Sequence, residues 1–75
     1  MAKYTEYKAK IETDFHNKDL VHLANCGEIT IYENHIESEK EVFIDEDNIR
    51  YRFRKVTMVS GTVHYLLVDK HEYQN

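Results

Sequence analysis

Proline and tryptophan are absent from this 75-residue chain, glycine occurs twice and cysteine once. Each shortage removes a class of answer. A lone Cys26 closes no internal disulfide, and no paired-cysteine spacing marks a structural zinc site. With Gly27 and Gly61 the only glycines, nothing reads as a linker, a low-complexity segment or a second module. No stretch approaches the roughly 18 apolar residues of a membrane-spanning helix, and the opening "MAKYTEYKAK" is polar. The expectation is one globular domain over residues 1–75, soluble and cytoplasmic.

Hydrophobic residues make up 41% of the chain and aromatic ones 12%, which suffices for a packed core. A core of this size leaves only a few kcal/mol of net stability. Self-association is therefore the expected further support. The formal net charge of −4 hides an asymmetry: residues 28–48 carry eight acids against Lys40 alone, and residues 49–75 carry three Arg and two Lys against Asp69 and Glu72. An acidic block followed directly by a basic one invites pairing between them.

"TEYKAKIETDFH" alternates apolar and polar positions strictly, the period of a half-buried strand. A helical template also collects Tyr4, Tyr7, Ile11 and Phe15, with more β-branched and aromatic residues than a helix favours. In "NKDLVHLANCG" the period changes: Leu20, Leu23 and Ala24 share a helical face, with Asp19 as N-cap and Gly27 as the left-handed stop. One short helix is expected near residues 19–26. "EITIYEN" and "HIESE" read as two short strands about Asn34 and His35, with a single bent strand as the alternative.

"EVFI" and "NIRYRFRK" are expected to form a hairpin closed by the turn "DEDN". In that register Ile44 faces Ile49, Val42 faces Tyr51, Glu41 faces Arg52 and Glu39 faces Arg54, so the acids neutralise the arginines. A second hairpin turns at Ser60-Gly61. Apolar phase is odd at Tyr51 and Phe53 but even at Val56 and Met58, so a bulge at Arg54-Lys55 is expected, letting Phe53 pair with Leu67. The fold class is mainly β: a small curved antiparallel sheet of about five strands carrying one short helix. The segments "GEITIYENHIE", "NIRY" and "HYLLV" resemble the strand pattern of bacterial pleckstrin-homology-like domains. The C-terminal helix of those domains has no counterpart here, and no function is carried over.

Four features are candidate sites. Arg50, Arg52, Arg54 and Lys55, interleaved with Tyr51 and Phe53, have the residue types that grip single-stranded nucleic acid. On a strand, however, arginines and aromatics point to opposite faces, and Glu39 and Glu41 stand opposite, so a neutralised solvent face is the preferred reading. The acids from Glu28 to Asp47, Glu37, Glu39 and Glu41 among them, could present a carboxylate surface to a basic protein, although ordinary solubility explains them as well. His16, His22, Cys26 and His35 contain one His-x3-Cys pair but no spacing for a full ligand set, and no orienting partner makes Cys26 a nucleophile. Six tyrosines is many for this length, and an outward-facing one such as Tyr32 suits a partner surface.

By elimination the sequence points to a non-enzymatic protein-binding module without cofactors, acting as a homodimer or as an inhibitor or regulator of a larger protein. Nucleic-acid binding through Arg50, Arg52 and Arg54 is the alternative, and a metal-binding or cysteine enzyme the third reading. Self-association is expected through an edge strand, either "TEYKAKIETDFH" or "TVHYLLVD".

Overall fold

The computed structural model describes residues 2–13 and 19–73, with side chains for 2–10 and 21–73. Five strands, β1 (Ala2–Thr13), β2 (Asp19–Ile31), β3 (Ile36–Glu46), β4 (Ile49–Met58) and β5 (Val63–Glu72), form one antiparallel sheet in the order β2-β1-β5-β4-β3. A single 3-10 turn, Glu33–His35, joins β2 to β3. The mainly β architecture matches the alternation in the sequence. The expected first strand is present to Thr13; its remaining positions, Asp14 to His16, lie outside the described residues.

The helix expected near residues 19–26 is absent: this segment is the first half of β2. A helix this short is marginal by itself, whereas as a strand it pairs along the length of β1, from Thr13↔Asp19 to Ala2↔Ile31. Gly27 does take the left-handed conformation expected of it, at φ 88°. It serves a β-bulge instead of a helix end: Glu6 pairs with Gly27 and Tyr7 with Asn25, which leaves Cys26 as the extra residue. The Asn25 Oδ1 accepts the Gly27 N–H at 2.8 Å.

Both expected edge strands are corrected too. β1 lies between β2 and β5, and β5 is the central strand, so the free edges belong to β2 and β3. The sheet is open, yet it curls far enough that the Leu23 N–H on β2 donates to Glu46 Oε2 on β3 at 2.9 Å.

The β3–β4 hairpin turns tightly on two residues, Asp47 and Asn48, at φ 51° and 62°. Positive φ at both centres is the type I′ requirement, and Asp and Asn tolerate it better than most residues. The turn is two residues long where "DEDN" suggested four, so the register moves by two: Ile44 faces Tyr51, Val42 faces Phe53, Glu41 faces Arg54 and Asp45 faces Arg50. A shift of two keeps every side chain on its expected face. The β4–β5 connection turns through Val59, Ser60 and Gly61, with Gly61 at φ 93° donating its N–H to the Met58 carbonyl at 2.8 Å.

Phe53 pairs with Leu67 as expected, but the irregularity lies between Arg52 and Phe53, where Val68 is the extra residue in β5. No bulge separates Phe53 from Val56. Three residues apart on a regular strand, they point to opposite faces, and both are fully buried. The change of apolar phase along β4 is thus met by burying residues on both faces of the sheet.

One face, the tyrosine face, packs Tyr7, Tyr51 and Tyr65 around Phe53, with ring centroids 5.4 to 6.0 Å apart. Burial pushes the Tyr51 phenol above its ordinary pKa, with smaller pushes from Tyr7 and the acids Glu46, Asp47 and Glu72. The other, the arginine face, buries Ile31, Val56 and Leu66 beneath Tyr4, Ile29, Ile36 and Met58. Each fully buried side chain of this size contributes about 1.5 to 3 kcal/mol.

Candidate functional site

Alternation along β4 places Arg50, Arg52 and Arg54 on one face, beside the Val56 cluster. The cross-strand register then sets their partners. Arg50 forms a two-point pair with Asp45, through Nε at 2.9 Å and Nη2 at 3.3 Å. Arg52 reaches the other way, Nη2 meeting Asp69 on β5 at 2.7 Å, and has a looser contact with Glu41 at 3.8 Å. Its Nε is buried without a partner among the described residues.

Arg54 is the most enclosed of the three. Its guanidinium contacts both oxygens of Glu33, at 2.8 and 2.7 Å, binds Glu39 through Nε, and donates to the Tyr4 hydroxyl at 2.9 Å. The Glu33 and Glu39 carboxylates raise its pKa further above the ordinary arginine value, and the Arg54 hydrogen bonds hold the Glu33 carboxyl below the usual range. Arg50 does the same for Asp45. The expected neutralisation of Arg52 by Glu41 and of Arg54 by Glu39 therefore holds as contacts, although the register makes them diagonal neighbours.

Apolar side chains share this face. Phe43 stands opposite Arg52 and is 54% exposed, Val68 at the β5 bulge is 48% exposed, and Tyr73 just past β5 is 42% exposed. Arg50 lies over both rings, 6.0 Å from the Phe43 centroid and 5.6 Å from that of Tyr73. The Tyr73 hydroxyl also donates to Asp45 at 3.3 Å. Beside this patch, Glu39, Lys40, Glu41, Arg52, Phe53, Arg54 and Val68 line a groove of about 410 Å³. The patch is amphipathic: exposed rings and a valine set among charges that are already paired.

The remaining candidates are scattered. Lys55 is on the tyrosine face, opposite Lys40 and Tyr65, and does not belong with the arginines. Glu37 is the extra residue where the β3–β4 register shifts between Ile36 and Ser38. Tyr32 is exposed at the end of β2 against the His35 ring, 5.8 Å away. Cys26 is exposed at its bulge. Among the described residues no three His, Cys, Asp or Glu side chains are grouped to hold a metal ion. His16 lies outside them. No helix among the described residues is long and apolar enough to cross a membrane. Sequence reasoning singled out neither Phe43, Val68 nor Asp69, took Tyr73 only as one of six tyrosines, and placed Asp45 and Glu33 only within the acidic block, not as partners of Arg50 and Arg54. Phe43 did carry a signal, since it breaks the alternation of Val42 and Ile44.

Comparison of the chain with protein-family models, with curated proteins and with solved structures yields no match to any of them.

Proposed function

We propose that this chain is a small protein-binding module that acts without chemistry, using the arginine face of β3, β4 and β5 to engage a larger protein that it regulates. One observation carries the reading: Phe43 and Tyr73 flank Arg50 in the open, with Val68 exposed on the same face. Aromatic side chains and arginine are the types enriched where proteins meet, and a few such anchors supply most of the binding energy. The ion pairs Arg50–Asp45 and Arg52–Asp69 fix the guanidinium positions in advance, so little order is lost on binding.

A nucleic-acid reading draws on the same rings, which share a face with the arginines. It is the weaker reading because each guanidinium already holds a carboxylate, leaving little positive field for phosphates. The test compares the immobilised chain with its Phe43→Ala/Tyr73→Ala variant. A protein retained by the wild type and by Val59→Ala but lost with the double variant supports the proposal. An oligonucleotide that binds at micromolar affinity, and is released steeply by salt, would replace it with the nucleic-acid reading. Ultracentrifugation of both forms shows whether the retained protein is a second copy.

A further inference from the structure

Lys40 and Lys55 are directly opposite each other across β3 and β4, on the tyrosine face. Like charges so placed repel and cost stability. On the other face each arginine is neutralised by an acid. Here neither ammonium meets a carboxylate among the described residues. The chain as a whole carries a formal net charge of −4, yet this pair stands together without a carboxylate.

The surroundings add donors rather than acids. Ser38 and Thr57 form the next cross-strand pair in this lane, placing two hydroxyls on the same face. Tyr65 pairs with Lys55 from the other side, and the Lys55 ammonium is 5.8 Å from its ring centroid. That contact holds one cation in place at a half-buried position, where charge interactions are stronger than in open water. In the opposite direction Val42 and Phe53 close the lane with apolar surface. The basic track is therefore one pair of lysines long and cannot follow an extended polyanion.

We propose that Lys40 and Lys55, with the hydroxyls of Ser38 and Thr57, form a binding site for one compact dianion of the phosphate monoester class. A dianion bound in this lane would accept charge-assisted contacts from both ammoniums and offset the repulsion between the paired lysines. This site lies on the opposite face from the proposed partner surface and is independent of that reading.

The experiment is a titration of the isotope-labelled chain followed by amide NMR, with ionic strength held constant by exchange against chloride. One arm uses inorganic phosphate and the other a phosphoserine peptide, which separates a free ligand from one carried on a protein. Saturable shifts confined to residues 38–42, 55–57 and 65 are expected in at least one arm. Lys40→Gln and Lys55→Gln should each weaken that binding about tenfold or more, as loss of a charged hydrogen bond does, and Arg50→Gln should not. Phosphate should raise the melting temperature of the wild type and not of either lysine variant, which provides a second readout. Shifts spread over all lysines, an equal response to chloride, or unchanged affinity in both lysine variants would overturn the proposal. An unphosphorylated acidic peptide that binds as tightly as the phosphoserine peptide would overturn the assignment to phosphate.

Discussion

Arg54 reaches from the middle of β4 to the turn between β2 and β3 and holds both oxygens of Glu33 there, at 2.8 and 2.7 Å. The same guanidinium binds Glu39 and the Tyr4 hydroxyl, so one side chain ties together β1, β3, β4 and the turn. It is 23% exposed, against 38% for Arg52. Arg54→Ala should therefore destabilise the chain by about 1 to 3 kcal/mol, the usual cost of removing a partner from charged hydrogen bonds. Arg52→Ala should cost less than about 1 kcal/mol, as solvent-exposed pairs do. Urea midpoints of the two variants give the comparison, and equal losses would contradict it.

The carboxyls of Glu33 and Asp45 both titrate below their ordinary values because of Arg54 and Arg50 respectively. A depressed folded-state value means the ionised form is favoured by folding, so this stabilisation is complete above the unfolded-state value and disappears as pH falls through the folded one. Stability should thus decline progressively below about pH 4. In the double variant Glu33→Gln/Asp45→Asn the decline should be shallower, with the gap from wild type widest near neutral pH. Denaturant midpoints between pH 2 and 7 measure this, and parallel curves would contradict it.

Cys26 should react with a thiol reagent in the native state, one equivalent per chain, without denaturant. Its bulge leaves it exposed, and access is the first requirement for labelling. Labelling that appears only after unfolding would mean the bulge is closed.

Asn48 holds φ 62° at the second position of the β3–β4 turn. A β-branched residue there meets the left-handed penalty, so Asn48→Val should lower stability by about 1 to 2 kcal/mol, while Asn48→Gly should not. Thermal melts of the two variants decide.

Much of the sheet could be read from alternation. β1 follows it strictly, β3, β4 and β5 only in part, with Phe43 and the change of apolar phase along β4 as departures, and Glu39 and Glu41 were placed near the arginines because parity puts them on the same face in either register. The register itself could not be read, because "DEDN" does not reveal that Asp47 and Asn48 are both left-handed. The helix expectation failed for a physical reason: Leu20, Leu23 and Ala24 fit a helical period locally, but pairing with β1 outweighs a preference so short. Half of the candidate patch was hidden by the assumption that one face of the sheet must be the wet one. Phe43 fell outside the expected core for that reason, and the bulge at Val68 brought that residue out beside it.

The double-sided burial along β4 also bears on how the chain tolerates change. An ordinary half-buried strand offers every second position to drift, so substitutions are accepted and rejected in alternation. From Tyr51 to Met58 no position is fully exposed. This stretch should therefore accept few replacements at any consecutive site, the profile of a strand enclosed between two layers, although the described residues form a single sheet. Variation would be channelled into the outer strands and the loops, and β4 would change more slowly than any stretch around it.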